Sequence, residues 1–137
     1  MKKRLLCIAL ALVMLAGCTA QNGNQNSSDE DGGSMYVTIS AAQAKERMEE
    51  NPNAVILDVR TQTEYDAGHI EGAVLLPNEN IGDAKPSELP DLDAEILVYC
   101  RSGNRSAQAA KKLAALGYTN VYDFGGIIDW TYGTTAK

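Results

Sequence analysis

The sequence contains few of the residues from which a metal centre or a nucleic-acid surface is built. It has a single histidine, His69, in 137 residues, which excludes a site made from several histidine ligands. Acidic residues outnumber basic ones by 18 to 12, for a formal net charge of -6. Since a nucleic-acid partner needs a basic face, we expect neither a bound metal ion nor a nucleic-acid partner.

Cysteine is scarce as well. Cys7, Cys18 and Cys100 are widely spaced and form no CxxC pair. This spacing excludes a compact zinc knuckle. Each cysteine is therefore interpreted separately, from the segment in which it lies.

The N-terminus has the order of a secretory signal peptide. Basic residues 2–4 precede an apolar segment at 5–16, which is shorter than the about 20 residues that a membrane-spanning helix needs. Residues 15–18 read LAGC and resemble the lipobox of bacterial lipoproteins, in which cleavage precedes a cysteine that is then lipidated. An ordinary signal peptide that happens to contain Cys18 is the alternative.

We therefore predict a lipoprotein signal peptide at residues 1–17 and a lipid on Cys18, which anchors an extracytoplasmic protein to the bacterial membrane. Residues 18–34 then comprise the lipidated cysteine and a polar tether that lacks the apolar surface to fold. Residues 35–137 form the folded domain. Cys7 leaves with the signal peptide, so Cys100 is the only free thiol of the lipidated chain.

The folded domain alternates strand-like and helix-like segments, which predicts an α/β fold. Short apolar runs that end in Asp58 and Cys100 are typical of strands buried on both faces. Ser40 is a candidate helix N-cap, and Gly117 is a candidate residue just after a helix. The predicted strands are 36–39, 55–58, 96–100 and 121–124, and the predicted helices follow Ser40, cover 106–116 with Ala107, Ala110, Leu113 and Ala114 inward, and cover 127–132.

The segment that begins at Cys100 carries the chemistry. It follows a predicted strand and precedes a predicted helix, and binding sites form at the carboxyl ends of such strands. Backbone amides at a helix N-terminus attract anions, and Arg101 and Arg105 add positive charge. Gly103 permits a backbone angle that other residues resist. This combination favours a reactive thiolate over a buried, inert cysteine.

The spacing of the loop helps to choose the reaction. Cysteine phosphatases use Cys-x5-Arg to surround a tetrahedral phosphate, whereas Cys100 and Arg105 are related by the shorter Cys-x4-Arg. A tighter loop suits a sulfur atom bound to the thiolate better than a phosphate ester. The spacing favours sulfur transfer over phosphoryl transfer without deciding between them.

The loop CRSGNRS resembles the active-site loop of single-domain rhodaneses, the thiosulfate sulfurtransferases. Residues 58–73 contain the elements DVR, EY and GHIxGA, and residues 124–130 contain FGG followed by a tryptophan. Both segments are similar to further signatures of that family, so the resemblance runs from about Met35 to Trp130. It implies a five-stranded parallel sheet with helices on both faces.

The resemblance also implies a mechanism. The Cys100 thiolate would take the outer sulfur of a small anionic donor such as thiosulfate, and a thiol or cyanide would then accept it. Loop amides would stabilise the anionic persulfide, and the arginines would orient the donor. No cofactor is implied, and we expect a monomer. The implied substrate-binding residues are Arg101, Ser102, Gly103, Asn104 and Arg105.

Three further residues are candidates for the pocket or for structural roles. His69 could be a general base, but we favour a structural role, since the loop alone can activate the thiolate. Asp58 could border the pocket, and we favour a carboxylate that stabilises the following turn. Arg60 and Glu64 are four apart and are expected to pair on a short helical turn.

Two alternatives to a sulfurtransferase remain open at this point. One is a cysteine phosphatase or an enzyme like arsenate reductase. The other is a binding or redox-sensing module on the cell surface without catalytic activity.

The lipid anchor gives a first testable prediction. Replacing Cys18 with alanine removes the only site for the lipid, so we expect the Cys18→Ala protein to appear in the soluble fraction, while the wild type sediments with membranes. Fractionation followed by immunoblotting measures this. Membrane retention of the variant would refute lipidation at Cys18.

Overall fold

The computed structural model describes residues 35–137. In chain order, its elements are β1 (Val37–Thr38), α1 (Ala41–Glu50), β2 (Val55–Asp58), α2 (Gln62–Ala67), β3 (Val74–Leu75), β4 (Glu95–Cys100), α3 (Asn104–Ala115) and β5 (Asn120–Gly126), with 3-10 turns at Asn78–Asn80 and Ile127–Asp129. The strands form one parallel sheet in the order β1-β5-β4-β2-β3. This confirms the predicted α/β fold with five parallel strands.

The predicted signal peptide, the lipidation site Cys18 and the tether lie outside the described residues, so they stay predictions. Within residues 35–137, no helix is long and apolar enough to cross a membrane.

Strand β4 occupies the centre of the sheet and is buried on both faces. Ile96, Val98 and Cys100 belong to a core cluster that includes Leu113 of α3. Leu97 and the next alternate residue, Tyr99, belong to a second cluster that includes Ala44 of α1. Successive side chains of a strand point to opposite faces, so one apolar run supplies both cores, and helices cover both faces of the sheet.

The ends of the helices follow from local sequence. Ser40 and Gln43 form a capping box at the start of α1, which satisfies amides that lack partners within the helix. Gly117 follows α3 with φ +99°, a conformation that glycine adopts without strain. Both residues lie where the sequence predicts them.

Two predicted helices differ from the structure. Helix α3 begins at Asn104, before the predicted Ser106, because Gly103 turns the chain directly into it. Its buried face is set by Ser106, Ala109 and Leu113, so Ala107 is only half-buried. The predicted helix 127–132 is a 3-10 turn at Ile127–Asp129.

The 3-10 turn does not continue past Asp129 because the backbone reverses direction between Trp130 and Gly133. Trp130 Nε1 donates to the carbonyl oxygen of Gly133 at 2.9 Å, and Gly133 has φ +89°. The indole ring also packs on Phe124, with ring centroids 5.7 Å apart. These contacts take the place of another helical turn.

A buried ion pair ties the end of β2 to its neighbours. Asp58 is fully buried, and Arg60 donates to its carboxylate from Nε at 2.9 Å and from Nη2 at 2.7 Å. The Tyr99 hydroxyl donates to the same carboxylate at 2.6 Å and accepts from the amide of Ile70 at 3.1 Å. Arg60 Nη2 also reaches the carbonyl oxygen of Gly68 at 2.7 Å. The network joins β2, β4 and the segment after α2.

The predicted pairing of Arg60 with Glu64 is wrong. Arg60 turns back to Asp58, and Glu64 pairs with Arg105 of α3. The reason is that Glu64 is the third residue of α2, where its carboxylate caps the amide of Thr61 and meets the guanidinium of Arg105.

The network predicts a large effect on stability. Asp58→Asn leaves the buried guanidinium of Arg60 without a charged partner, and we expect it to lower the free energy of unfolding by about 3 kcal/mol or more. Urea denaturation measures this. Asp83→Asn, which changes an exposed carboxylate, is the matched control and should stay within about 0.5 kcal/mol of the wild type. Equal effects of the two substitutions would contradict the assigned role.

Candidate active site

The site is a tight turn between the end of β4 and the start of α3. Cys100 is the last residue of β4 and is 1% exposed. Gly103 has φ +102°, which bends the chain so that α3 begins at the next residue. The predicted positive backbone angle at Gly103 is confirmed. The turn places the N-terminal amides of α3 beside the sulfur.

Those amides act on the thiol directly. The amide of Gly103 donates to Cys100 Sγ at 3.0 Å. Burial by itself raises the pKa of Cys100, but hydrogen bonds from the Ser106 hydroxyl and from backbone amides of the loop outweigh burial and hold the pKa below its ordinary value. Hydrogen bonds to the charged form favour that form. The loop therefore stabilises a thiolate.

Ser106 is a site residue that the sequence analysis missed. It is fully buried, and its Oγ lies 3.0 Å from the carbonyl oxygen of Gly103 and 3.3 Å from that of Gly125. The signal in the sequence was its place on the inward face of α3, where the other buried residues are apolar. A hydroxyl at such a position needs polar partners, and here one belongs to the loop and the other to β5.

The end of β5 packs directly against the loop. A Cβ atom on Gly126 would lie 2.3 Å from the carbonyl oxygen of Arg101 and 2.6 Å from Ser102 Cα. Only glycine allows so close an approach between β5 and the loop. The amide of Ile128 donates to the same Arg101 oxygen at 3.3 Å, so this contact also fixes the start of the loop.

Asp123 is a second residue that the sequence analysis missed. Its carboxylate is buried and accepts from the amide of Gly125 at 3.0 Å. Burial raises the pKa of Asp123, and hydrogen bonds from Ser106 and from the Gly125 amide oppose this rise. An acidic residue between Tyr122 and Phe124, in the middle of a strand, was the available signal. Asp123 thus fixes the backbone at Gly125, near the end of β5.

The two loop arginines differ in their surroundings. Arg101 is exposed. Arg105 makes a bidentate ion pair with Glu64, with both N–O distances 2.8 Å. Both were expected to orient an anionic donor. Among the ion pairs found in residues 35–137, Arg105 pairs with a carboxylate, whereas Arg101 belongs to none of them. Ser102 and Asn104 are exposed on the rim of the loop.

A family model for the rhodanese-like domain matches residues 40–132, which include the whole of this loop. The chain belongs to the rhodanese-like family. The three signatures on which the resemblance depends, at residues 58–73, 100–106 and 124–130, all lie within this match.

Sulfurtransferases are among the relatives of this rhodanese-like chain. It is 44% identical over 88 residues to the thiosulfate sulfurtransferase GlpE of Pseudomonas entomophila, covering 61% of this chain and 79% of that protein. It is 34% identical over 73 residues to the thiosulfate sulfurtransferase PspE of Escherichia coli, covering 53% and 70%. A tRNA uridine(34) hydroxylase of Erwinia tasmaniensis also matches, at 35% over 88 residues, but over 25% of its length. These matches support a sulfurtransferase-like enzyme.

A solved structure has the same fold. The rhodanese-like domain of an Anabaena protein, determined by solution NMR, superposes with a TM-score of 0.65 at 31% identity, covering 75% of this chain and 81% of that one.

The remaining candidate residues of the rhodanese-like domain have structural contacts. Asp58 and Arg60 belong to the buried network described above. His69 is buried, its Nδ1 lies 2.8 Å from the carbonyl oxygen of Tyr65, and its ring stacks on that of Tyr65 with centroids 3.7 Å apart. Within the described residues, no group of three or more His, Cys, Asp or Glu side chains is placed to hold a metal ion.

The position of Ser106 predicts a shift in the titration of the thiol. Its hydroxyl has one proton, which lies near the carbonyl oxygens of Gly103 and Gly125 beside the uncharged thiol and which the thiolate, a stronger acceptor, attracts. Ser106→Ala removes this donor, so we expect the pKa of Cys100 to rise and the thiolate to appear at higher pH than in the wild type. Ultraviolet absorbance of the thiolate against pH, after subtraction of the curve for Cys100→Ser, measures this. A pKa equal to or lower than that of the wild type would count against Ser106.

Proposed function

We propose that this chain is a sulfurtransferase that moves sulfane sulfur from a small anionic donor such as thiosulfate to a thiophilic acceptor, through a persulfide on Cys100. The observation that carries the proposal is the amide of Gly103, which donates to the Cys100 sulfur at 3.0 Å. An amide so placed stabilises the negative charge of the Cys100 thiolate, which is the attacking group. Family membership supports the same reaction.

In the first step, the Cys100 thiolate attacks the outer sulfur of thiosulfate. A new sulfur–sulfur bond forms to Cys100, the sulfur–sulfur bond of thiosulfate breaks, and sulfite leaves with the electron pair of that bond. The lowered pKa of Cys100 supplies the thiolate without a separate general base. The electron pair of the thiolate becomes the new bond, and the terminal sulfur of the persulfide keeps the negative charge that it had in thiosulfate.

In the second step, a thiophilic acceptor attacks that terminal sulfur. With cyanide, the product is thiocyanate and the Cys100 thiolate is regenerated. With a thiolate, the product is a new persulfide. No proton transfer from the enzyme is needed in either case, which fits a chain whose single histidine, His69, stacks on Tyr65.

The ion pair of Arg105 weighs against the phosphatase alternative. A phosphatase loop uses its arginine to hold the phosphate oxygens by a bidentate contact. Here the guanidinium of Arg105 already makes that kind of contact with Glu64. The backbone amides of the loop remain available as donors, and the Gly103 amide is directed at a single sulfur atom.

We also propose that the domain works outside the cytoplasm, held at the bacterial membrane by the lipid on Cys18. The order of basic residues, apolar segment and LAGC in residues 1–18 supports this location, and the fractionation of Cys18→Ala tests it. The donor and acceptor would then be encountered outside the cytoplasm.

Intact-mass spectrometry after incubation with thiosulfate tests the reaction. We expect the wild type to gain the mass of one sulfur atom, the gain to disappear on adding cyanide, and Cys100→Ser to show no gain. If the unprocessed chain is used, Cys7 and Cys18 remain in that variant, so it controls for sulfur bound elsewhere. A wild type that gains no sulfur from any donor but hydrolyses an aryl phosphate would overturn the proposal.

A further inference from the structure

Strand β5 contains an extra residue beside the candidate active site. Val98 of β4 pairs with Asp123 of β5. Cys100, two residues further along β4, pairs with Gly126, which is three residues further along β5. Such an insertion is a β-bulge, which bends its strand and is common next to active sites. The bulge therefore determines how the end of β5 meets the Cys100 loop.

The side chain of Asp123 holds this bulge. Its Oδ1 accepts from the amide of Gly125 at 3.0 Å, an Asx turn, and Gly125 has φ +85°. The backbone of Asp123 is itself fixed from both sides, because it pairs with Val98 and its carbonyl oxygen accepts from the amide of Ile39 at 2.9 Å. The carboxylate thus ties Gly125 to a rigid part of the sheet.

Gly125 in turn lies against the loop. A Cβ atom on Gly103 would lie only 3.5 Å from Gly125 Cα, so the two backbones are in contact. Ser106 Oγ lies 3.3 Å from the carbonyl oxygen of Gly125. The Gly103 amide donates to Cys100 Sγ, and Ser106 also favours the thiolate. Gly125 therefore supports two of the groups that stabilise the anionic sulfur.

Asp123 occupies a place where an apolar side chain would pack. It follows Val121 by two residues and so faces the same side of the sheet, where Val121 shares a core cluster with Cys100 and Leu113. Asp123 is 5% exposed and belongs to none of the ion pairs found in residues 35–137. Burying a carboxylate without a cation costs free energy. Departures from apolar packing of this kind concentrate at functional sites.

We propose that Asp123 is a positioning residue for the sulfurtransferase reaction: it holds the bulge of β5 against Gly103 and Ser106, and so keeps the donors of the loop directed at Cys100. The proposal rests on the sulfurtransferase function proposed above. Asp123 acts through Gly125, and this role needs an oxygen acceptor rather than a negative charge. Asparagine can therefore take its place, whereas alanine cannot.

The test compares Asp123→Asn, which keeps an oxygen for the Gly125 amide, with Asp123→Ala, which does not. Thiolate absorbance against pH, after subtraction of the same protein carrying Cys100→Ser, gives the pKa of Cys100. In Asp123→Ala we expect this pKa to rise by about one pH unit, since displaced donors stabilise the thiolate less. In Asp123→Asn it should stay level or fall.

The direction of the change separates positioning from charge. Removing a nearby negative charge lowers the pKa of a thiol, because like charges disfavour its ionised form. Both substitutions remove the charge of Asp123. The other charged groups around the loop are the same in both variants, namely Arg101, Arg105 and Asp58. A rise confined to the alanine variant therefore reports the loss of the oxygen acceptor.

Val121→Ala is the matched control, because it leaves a cavity on the same face of β5 without removing a bond to Gly125. It should lower the urea midpoint and leave the pKa of Cys100 as in the wild type. The rate of persulfide formation from thiosulfate is followed by intact mass at a pH below these pKa values. It should fall about tenfold in Asp123→Ala and stay within about threefold of the wild type in Asp123→Asn and in Val121→Ala.

A pKa of Cys100 that does not rise in Asp123→Ala, or that rises equally in Asp123→Asn or Val121→Ala, would overturn the proposal. If Asp123→Ala does not fold, Asp123→Asn decides: a raised pKa or a tenfold lower rate contradicts the proposal, and wild-type values support it. In the wild type, the Gly125 amide should be protected from hydrogen exchange, and free exchange would also contradict it. The expected changes in pKa without any persulfide on Cys100 would retain the positioning role while removing the sulfurtransferase function.

Discussion

The loop between β4 and α3 can be as short as it is only because the end of β5 lies against it. Gly126 places its Cα where any side chain would meet the carbonyl oxygen of Arg101 at 2.3 Å. With β5 packed against the loop, Gly103 adopts its positive φ. Its amide then donates to the Cys100 sulfur, and α3 starts at the next residue. The site thus depends on a close approach of two backbones rather than on a particular set of side chains.

A count of basic residues overstates the positive charge around the site. Two arginines follow the thiol in the sequence, but Glu64 pairs with Arg105, and β5 adds the buried carboxylate of Asp123. The thiolate is stabilised mainly by amides and one hydroxyl, which are uncharged and held rigidly.

Much of this architecture could be predicted from local sequence, and the failures share one cause. The runs before Asp58 and Cys100 predicted buried strands because a central strand is apolar on both faces. The partners of Arg60 could not be predicted, since a spacing of four residues indicates neighbours only within one helix, and Glu64 caps a helix that Arg60 precedes. Ser106 and Asp123 acquire their roles from contacts between α3 and β5, which no local pattern encodes.

The burial of Cys100 limits which molecules can reach its sulfur. At 1% exposure, the unloaded thiol is shielded from bulky oxidants and large disulfides, and only a slender donor can place one atom on it. In the proposed reaction, a persulfide would place the reactive atom one sulfur–sulfur bond, about 2 Å, beyond the buried Sγ. That atom would occupy the space that the donor's outer sulfur had entered, so an acceptor would need to reach no deeper into the loop than the donor did.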